Sequence, residues 1–232
     1  MSRDTHNIGL RLAEMVEAAG ALILPLWRSG VHVIHKADDS PVTEADRRGE
    51  KLLLDLLARE FPDIPVVSEE DSSESGVPAT IARGFFLVDP LDGTKAFVRG
   101  DKHFTVNIGL IEDGRSVAGA VSGPALGDTW FTTADGAAKR PIGGAASAIR
   151  VRAWPQGEAV SLISHTMKPE QLAALQAEYG FDQTQAMDSS VKLCWLAQGS
   201  ADIYPRHGPT MEWDIAAGQA VLEAAGGSLT QP

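Results

Sequence analysis

The hydrophobic pattern near the amino terminus predicts an amphipathic helix over about residues 5–26. Apolar residues recur there at intervals of three or four, which places them on one helical face. Pro25 lies near the predicted end of this helix. The predicted face consists of Ile8, Leu12, Met15, Val16 and Ala19. A second helix is predicted after the segment SPVTEAD at residues 40–46, with an apolar face at Leu52, Leu53, Leu56 and Leu57.

The middle of the chain carries short apolar runs that are bounded by turn-forming residues, a pattern typical of strands. Two of these runs are IPVVSEE at residues 64–70 and GFFLVDP at residues 84–90. Residues 104–123 predict a hairpin that turns at residues 112–114, and residues 128–138 predict another strand and turn that closes at Asp135-Gly136. This part of the chain is therefore expected to be rich in β-structure.

The last third of the chain alternates between the two kinds of pattern. Strands are predicted at residues 159–164 and 201–205, and helices at residues 168–180, 189–199 and 212–227. The final residues, GGSLTQP, are expected to begin another strand. Helices followed by a strand-rich middle and then by alternating elements favour a layered α/β fold.

Composition narrows the classes of protein. A chain of 232 residues suits one domain or two tightly packed lobes, and its net charge of −11 argues against nucleic-acid polymers and anionic membranes as partners. No apolar run reaches the roughly 18 residues of a membrane helix, and the charged amino terminus is unlike a signal peptide. The single cysteine, Cys194, excludes an intrachain disulfide, so a cytoplasmic location is expected.

The segment VDPLDGTKAFVRG at residues 88–100 is the first candidate for chemistry. Asp89 and Asp92 come directly after an apolar run, so they lie on a predicted turn at the carboxyl end of a strand, a common ligand position in α/β folds. Two carboxylates at this spacing could share a metal ion. A surface turn without chemistry explains the same residues, because Asp-Pro and Asp-Gly favour turns. Both interpretations stay open at this point.

Further carboxylates occur at the predicted ends of other elements, at Asp46, Glu69, Glu70 and Asp214. Hard oxygen ligands from separate elements suit Mg²⁺, whereas one cysteine and six scattered histidines give no zinc spacing. Each carboxylate also has a structural interpretation. Asp46 could complete a capping box with Thr43. The glutamate pair could be a solvated strand end, and Asp214 could interact with a helix dipole.

Three motifs in combination are typical of one enzyme superfamily: Glu69-Glu70, DPLDGT at residues 89–94 and WDIAAG at residues 213–218. Over about residues 10–227 the chain resembles the inositol monophosphatase-like superfamily of Mg²⁺-dependent, lithium-sensitive phosphomonoesterases. The segments KADDSPVTEAD, GTKAF, FTVNIGLI and SSVKLCWLAQGSADIYPRHGPTMEWDIAAGQ are similar to the branch of 3′(2′),5′-bisphosphate nucleotidases. Lys95 and the YPRHGPT stretch favour this branch over the inositol branch.

The resemblance implies a mixed α/β fold, an α-β-α-β-α sandwich of the inositol monophosphatase and sugar phosphatase type. Residues 1–232 would form one phosphatase domain, with a metal-binding α+β lobe at about 1–150 and an α/β lobe at about 151–232. Family members usually continue beyond the AAGG motif, so the second lobe is expected to lack their last strands. A sheet without those strands would expose an edge that a second copy can cover, which makes a homodimer one expected assembly.

The resemblance also assigns roles to individual residues. The metal ligands would be Glu69, Asp89, Asp92, Asp214 and the backbone carbonyl of Leu91, around two or three Mg²⁺ ions. Thr94 and Asp46 would orient and deprotonate the attacking water, and Glu69 counts with them as catalytic. Substrate contacts would come from Glu69, Leu91, Asp92, Gly93, Thr94, Ser189, Lys192, Arg206 and Asp214. Among these, Ser189, Lys192 and Arg206 would hold a second phosphate.

The leading functional hypothesis is hydrolysis of a small-molecule phosphomonoester. The enzyme would remove the 3′-phosphate of 3′-phosphoadenosine 5′-phosphate by attack of a metal-activated water, which yields AMP and phosphate. In the family that this chain resembles, this reaction clears a by-product of sulfate assimilation. The same metal site could support inositol-1-phosphate or histidinol-phosphate hydrolysis. A third hypothesis is a metal- or phosphate-binding protein without turnover, if the short carboxyl terminus abolishes activity.

Overall fold

The computed structural model describes residues 5–29, 33–35, 41–206 and 208–230. Seven helices form in these ranges: α1 Thr5–Ser29, α2 Glu44–Glu60, α3 Glu69–Ser75, α4 Thr94–Arg99, α5 Pro169–Tyr179, α6 Val191–Ala197 and α7 Glu212–Ala224. The strands in the same ranges are β1 Val33–His35, β2 Pro41–Thr43, β3 Val66–Ser68, β4 Gly84–Asp92, β5 Thr105–Glu112, β6 Arg115–Gly123, β7 Asp128–Thr133, β8 Gly136–Pro141, β9 Ser147–Ile149, β10 Val160–Ile163 and β11 Gln183–Ala186.

A seven-stranded sheet forms the centre of the fold, with strands β3 to β9 arranged in chain order. Strands β3 and β4 pair in parallel, and all later neighbours in this sheet are antiparallel. The two predicted hairpins are confirmed. Glu112 pairs with Arg115 at the first turn, and Thr133 pairs with Gly136 at the second.

Helices and a second, smaller sheet build layers around the seven-stranded sheet. Helices α1 and α2 pack on one face, and α6 and α7 pack on the other. Beyond α6 and α7 lies the parallel pair β10–β11, whose Leu162 joins the core between the two sheets. Helix α5 covers this small sheet through Leu175, which packs with Ala159 and Phe181. The layers follow the predicted α-β-α-β-α order, so the expected fold class is confirmed.

Helix α1 buries the face that its sequence pattern predicts. The five predicted positions are at most 6% exposed: Ile8, Leu12, Met15, Val16 and Ala19. The helix continues to Ser29, with Pro25 inside it, so it is three residues longer than expected. On α2, Leu53 and Leu57 are buried, whereas Leu52 and Leu56 are partly buried. No helix within the described ranges is long and apolar enough to cross a membrane.

Helix α7 lies unusually close to the central sheet because two glycines face it. A Cβ atom added at Gly109 of β5 would lie 2.9 Å from the backbone nitrogen of Ala217. A Cβ atom added at Gly119 of β6 would lie 2.7 Å from the backbone oxygen of the same alanine. The helix backbone at Ala217 therefore lies directly against the sheet at these two glycines, beside the small side chains of Ala216 and Ala220.

The structure corrects two of the predicted strands. Residues 201–205 form only one bridge, between Ser161 and Ile203, because Pro205 has no backbone N–H with which to extend the pairing. Residues 226–230, where another strand was expected to begin, form no strand in the described part of the chain. Helix α3 was not predicted: the strand at residues 64–70 ends at Ser68, and Glu69 begins the helix.

Candidate metal and phosphate site

The site begins at one edge of the central sheet, where the parallel strands β3 and β4 both end. Ser68 pairs with Val88 at the last parallel position. The next residues, Glu69 and Asp89, therefore emerge side by side, because parallel strands present their carboxyl ends at the same sheet edge. The charge of Glu69 is close enough to raise the pKa of Asp89. The parallel pairing of β3 and β4 thus brings together two carboxylates that are twenty positions apart in the sequence.

A β-bulge in β4 brings Asp89 and Asp92 together. Asp89 pairs with Asn107 and Asp92 pairs with Thr105, so three steps along β4 match two steps along β5. In a regular strand, residues three positions apart point to opposite faces. The extra residue of the bulge compensates for this odd spacing. Both carboxylates consequently reach the same site.

Asp214 completes the acidic group from the opposite side. It is the third residue of α7, where its Oδ2 accepts hydrogen bonds of 3.0 Å from the backbone N–H of Met211 and from the Thr210 hydroxyl. One carboxylate oxygen each of Asp89, Asp92 and Asp214 lies within 4.8 Å of the others. Asp214 therefore interacts with the start of α7 and also lies in the predicted ligand position, so one residue fits both interpretations of the sequence.

Burial and mutual repulsion make this acidic group hard to ionise. Asp89 is only 1% exposed, and burial followed by the charges of Glu69, Asp92 and Asp214 raises its pKa well above the usual value. Burial and the charge of Asp214 raise the pKa of Asp92 to about 6, although Lys192 and Ser190 oppose the shift. A cation between these carboxylates would remove the repulsion that the raised pKa values record.

The donor atoms fit a hard divalent cation. They are carboxylate oxygens of Asp89 and Asp92 on β4 and of Asp214 on α7, and the charge of Glu69 at the start of α3 acts on Asp89. Oxygen ligands at this spacing suit Mg²⁺ or Ca²⁺, and neither a thiolate nor an imidazole belongs to this acidic group as described. The buried negative charges lack sufficient compensation from Lys192 alone, since the pKa of Asp92 stays raised beside it. The residues present therefore fit the metal that the sequence predicts.

Asp46, Thr94 and Leu91 form a hydrogen-bonded group beside the carboxylates. The Thr94 hydroxyl lies 3.3 Å from Asp46 Oδ1 and 3.1 Å from the Leu91 carbonyl oxygen, and it can donate to either. The Leu91 backbone N–H in turn donates to Asp89 Oδ1 over 3.0 Å. Burial raises the pKa of Asp46 to about 6, against hydrogen bonds from Thr43 that lower it. The two predicted catalytic residues are thus in contact.

Two glutamates outside the predicted roles support this region. Glu50 of α2 accepts hydrogen bonds from the backbone N–H groups of Glu70 and Asp71, at 3.1 and 3.2 Å, which stabilises the start of α3. Glu70 is buried, and its charge contributes to the raised pKa of both Asp46 and Glu50. Glu50 carries no motif that sequence reasoning could use, because its contact spans twenty positions.

Gly93 connects β4 to α4 in a conformation that favours glycine, with φ of 88°. A Cβ atom at this position would lie 3.0 Å from the His103 carbonyl oxygen and 3.3 Å from Ser189 Cβ. Gly93 therefore provides both the turn and the narrow space between two loops. Ser189 itself adopts φ of 60°, which is uncommon for a residue other than glycine.

Ser190 is a residue of this site that the sequence did not single out. Its backbone N–H donates to Asp92 Oδ2 over 2.5 Å, and its hydroxyl lies 2.7 Å from the same oxygen. The hydroxyl also contacts the Asp214 carbonyl oxygen and accepts from Asn107 Nδ2. Ser190 thereby fixes the orientation of Asp92. Ser190 lies in the SSVK segment between the predicted residues Ser189 and Lys192, but no local sequence pattern indicates its contact with Asp92.

The two predicted phosphate-binding cations lie on either side of Tyr204. Lys192 is only 4% exposed, and its Nζ donates to the carbonyl oxygens of Ser189 and Met187 at 2.7 and 3.4 Å. The same Nζ lies 5.0 Å from the centre of the Tyr204 ring. Arg206 is exposed and donates to the Tyr204 hydroxyl over 3.1 Å and to the Pro209 carbonyl oxygen over 2.8 Å. Burial lowers the pKa of Lys192 to about 8.

A second group of possible metal ligands lies nearby, at Asp101, His165 and Asp188, with ligand atoms within 4.8 Å of one another. The guanidinium of Arg99 lies 2.5 Å from Asp188 and 3.9 Å from Asp101. Burial alone would raise the pKa of Asp188, but Arg99 and His165 outweigh burial and lower it. Arg99 already supplies the positive charge, so this group is an ion-pair network that links three loops.

Comparison with known proteins decides the family. The model of the inositol monophosphatase family matches residues 10–232. The chain belongs to this family. This family is metal-dependent, and the acidic group of Asp89, Asp92 and Asp214 could hold a metal ion.

Relatives within the family include bisphosphate nucleotidases. The chain is 39% identical over 219 residues to the 3′(2′),5′-bisphosphate nucleotidase CysQ of Escherichia coli O157:H7, which covers 93% of this chain and 87% of that protein. It is 35% identical over 222 residues to the protein of the same name from Buchnera aphidicola, across 94% of this chain and 82% of that one. The predicted recognition of the family and of its nucleotidase branch is confirmed.

Solved structures of family members share the fold. The crystal structure of CysQ from Bacteroides thetaiotaomicron superposes with a TM-score of 0.76 and 30% identity, over 95% of this chain and 87% of that chain. An inositol monophosphatase from Zymomonas mobilis superposes with a TM-score of 0.75 and 26% identity, over 97% of this chain and 85% of that chain. The family fold thus accommodates proteins with different names, and the fold alone does not choose a substrate.

Most of the residues predicted for the family site come together in the structure. Asp89, Asp92 and Asp214 form one group, with Glu69 adjacent to Asp89. Asp46, Thr94 and Leu91 lie beside them. Lys192 is buried, unlike a lysine that is freely accessible to a phosphate from solvent. Arg206 contacts Tyr204 and Pro209. The individual roles of these residues remain predictions.

Proposed function

We propose that this protein is a Mg²⁺-dependent 3′(2′),5′-bisphosphate nucleotidase that converts 3′-phosphoadenosine 5′-phosphate to AMP and phosphate. One observation carries the proposal: Asp92 belongs to the acidic group with Asp89 and Asp214, and a buried cation, Lys192, is also close to it. Burial and the charge of Asp214 raise the pKa of Asp92, and the charge of Lys192 opposes that shift. A site of this kind offers metal-mediated binding for one phosphate and direct cationic binding for a second.

The metal would be held by Glu69, Asp89, Asp92, Asp214 and the backbone carbonyl of Leu91, with two or three ions as the proposed number. When bound, Mg²⁺ supplies positive charge against the phosphate oxygens and makes a nearby water more acidic. The β4 bulge places Asp89 and Asp92 at the same site, and Ser190 binds Asp92 without the help of a cation. Because the site is preorganised, little reorganisation is needed when substrate binds.

Thr94 and Asp46 would move the proton of the attacking water. The Thr94 hydroxyl can donate to Asp46 Oδ1, and its oxygen can then accept a hydrogen bond from water. As the water attacks phosphorus, its proton passes to Thr94 while the Thr94 proton passes to Asp46. A carboxylate with a pKa of about 6 is suited to accept a proton near neutral pH.

Gly93 allows the backbone to approach the scissile phosphate, since it has no side chain in the narrow space beside Ser189. The phosphate that is not cleaved would contact Ser189, Lys192 and Arg206. The sequence similarity to nucleotidases named CysQ supports this assignment. A cytoplasmic location belongs to the proposal, and the buried, unpaired thiol of Cys194 supports it.

The test is phosphate release from three substrates, each with Mg²⁺ and with EDTA: 3′-phosphoadenosine 5′-phosphate, inositol-1-phosphate and histidinol phosphate. We expect Mg²⁺-dependent turnover with kcat/KM highest for the bisphosphate nucleotide, and inhibition by Li⁺. A preference for inositol-1-phosphate or histidinol phosphate would reassign the substrate. Mg²⁺ binding without release from any substrate would identify a binding protein instead.

Arg206→Ala tests the cationic part of the same proposal. Loss of a charge-assisted phosphate contact costs about 1.5–3 kcal/mol, or roughly tenfold to a hundredfold in binding. The variant should therefore lose far more kcat/KM for the bisphosphate than for inositol-1-phosphate, which has one phosphate. Equal losses for both substrates would show that Arg206 acts only in folding.

A further inference from the structure

Tyr204 contacts both cations that the proposed function assigns to the second phosphate. Its ring faces the Lys192 ammonium, with Nζ 5.0 Å from the ring centre. Its hydroxyl accepts a hydrogen bond of 3.1 Å from Arg206 Nη1. The ring is partly buried against the core that includes Met187 and Val191. Tyr204 is therefore held in place by packing and has two different polar contacts at its surface.

Lys192 and Arg206 are close enough for their positive charges to interact. Burial is the main cause of the lowered pKa of Lys192, Arg206 adds to it, and the carboxylates of Asp92, Asp188 and Asp214 oppose it. A tyrosine offers a different acceptor to each cation. The negative face of the ring attracts Lys192, and a hydroxyl lone pair accepts from Arg206.

Among the described residues, the other contacts of the two cations are hydrogen bonds to different backbone carbonyl oxygens, so none of them links the two side chains. Lys192 donates to the carbonyl oxygens of Met187 and Ser189, and the second of these belongs to the predicted phosphate-binding loop. Arg206 donates to the Pro209 carbonyl oxygen. Within the part of the chain that the structure describes, Tyr204 contacts both side chains.

We infer that Tyr204 is a positioning residue that sets the spacing of Lys192 and Arg206 and so selects substrates with a second phosphate. This inference rests on the proposed function. Tyr204 acts through the two cations and needs no contact with the reacting atoms. Without it, each cation keeps its charge and its carbonyl contacts but loses the contact that links it to the other, so more conformational freedom is lost when the second phosphate binds.

Tyr204→Phe removes the hydroxyl and keeps the ring, so it removes one of the two hydrogen bonds described for Arg206 and leaves the ring contact of Lys192 in place. We expect the KM for 3′-phosphoadenosine 5′-phosphate to rise roughly two- to tenfold, as for one lost hydrogen bond, with a much smaller change in kcat. The inhibition constant of AMP, which keeps the phosphate that is not cleaved, should rise by a similar factor. Adenosine 3′-monophosphate has no second phosphate, so its kcat/KM should fall several-fold less.

Tyr204→Leu removes both contacts and keeps an apolar side chain against the core. The KM for the bisphosphate and the AMP inhibition constant should rise by roughly tenfold to a hundredfold, beyond the effect of the phenylalanine variant. A graded order of wild type, phenylalanine and leucine would show that hydroxyl and ring each contribute. A merely structural role predicts instead that phenylalanine behaves as wild type and that leucine lowers activity toward both nucleotides equally.

Tyr179→Phe is the matched control, because Tyr179 is the only other tyrosine of the sequence and lies on α5, packed with Leu175. It should leave the ratio of kcat/KM for the two nucleotides as in wild type. Thermal unfolding and the shift of the unfolding midpoint by Mg²⁺ verify that each Tyr204 variant retains the fold and the metal site. If the leucine variant does not fold, the phenylalanine variant alone decides.

The outcomes separate this inference from the proposed function. If wild-type protein does not prefer the bisphosphate over adenosine 3′-monophosphate, the proposed function fails first. If wild type has that preference and both Tyr204 variants keep it unchanged, the positioning role is overturned while the function stands. A selective loss of bisphosphate and AMP binding supports both.

Discussion

Asp46 contacts Thr43 with one carboxylate oxygen and Thr94 with the other. Oδ2 accepts from the Thr43 backbone N–H and hydroxyl, both at 2.7 Å, and so completes the capping box of α2. Oδ1 faces the Thr94 hydroxyl at 3.3 Å. The capping and catalytic interpretations of the sequence were alternatives, yet one side chain satisfies the geometry of both.

We predict that Asp46→Asn stabilises the metal-free protein at neutral pH. The pKa of Asp46 is raised from 3.8 to about 6 in the folded state, so the folded protein binds a proton that the unfolded chain releases. Stability is therefore lost as pH rises between those two values, by about 3 kcal/mol for a shift of about two pKa units. In urea unfolding with EDTA, the free energy of unfolding of the variant relative to wild type should be larger at pH 7.5 than at pH 4.5.

Turnover of Asp46→Asn should move in the opposite direction, with kcat lowered by about 10²–10⁴-fold as for a lost general base. Asp55→Asn, on the exposed side of the same helix, is the matched control for both measurements. A variant whose stability relative to wild type is the same at both pH values would contradict the assigned cause of the raised pKa.

We predict that Asp92→Asn separates metal binding from folding. The substitution keeps the size of the side chain and removes one of three clustered negative charges. Repulsion decreases, so the metal-free unfolding midpoint should rise. Saturating Mg²⁺ stabilises wild type by about 2.7 kcal/mol at a hundredfold excess over Kd, and this gain should largely disappear in the variant. Asp113→Asn, in the exposed hairpin turn, should respond to Mg²⁺ as wild type does.

Gly93→Ala and Gly100→Ala form a matched pair at the two ends of α4. Both glycines have positive φ, 88° and 78°, so alanine is strained at either position. Only at Gly93 would the new Cβ meet neighbours, the His103 carbonyl at 3.0 Å and Ser189 Cβ at 3.3 Å, whereas nothing lies within 4 Å of Gly100. Both variants should lose about 1–3 kcal/mol of unfolding free energy.

Kinetics distinguish the members of this pair. Gly93→Ala should also lower kcat/KM, because the added methyl group displaces the loop that carries Ser189. Gly100→Ala should keep most of the wild-type kcat/KM at a temperature where both variants are folded. Equal kcat/KM for the two variants would show that the space beside Gly93 has no part in catalysis.

We predict that Ser190→Ala weakens Mg²⁺ binding without removing a metal ligand. Its hydroxyl lies 2.7 Å from Asp92 Oδ2, and residues that orient a metal ligand typically contribute about 10–100-fold to affinity. The readout is the Mg²⁺ concentration that gives half of the maximal thermal shift. Ser147→Ala, on the exposed strand β9, serves as control. An unchanged Mg²⁺ dependence would leave Ser190 with a packing role only.

Much of the fold was predictable because its signals are local. The apolar spacing of α1 and the glycine-containing turns at residues 112–114 and 135–136 lie within single elements, and the structure confirms each of them. The strand at residues 201–205 failed for a non-local reason, since its length depends on pairing with β10 and Pro205 limits that pairing. Helix α3 depends on Glu50, which lies far from it in the sequence.

The features of the site also divide into those that local motifs could predict and those that depend on the folded chain. Motif resemblance was sufficient to select Asp89, Asp92 and Asp214, which the structure brings within 4.8 Å of one another. It could not show the β4 bulge, because a register shift is a property of two paired strands. Nor could it select Ser190 or Tyr204, whose relevance lies in contacts that only the folded chain creates.

The close approach of α7 to the sheet has a consequence for the size of the ion that the acidic group could hold. Ala217, three residues after Asp214, touches the sheet backbone at Gly109 and Gly119. The distance between Asp214 and the carboxylates of β4 is thus set by backbone contact, which is harder to deform than side-chain contact. Ca²⁺ needs ligands at about 2.3–2.6 Å, against about 2.0–2.1 Å for Mg²⁺. We therefore expect any discrimination against the larger ion to depend on two glycines that lie outside the acidic group.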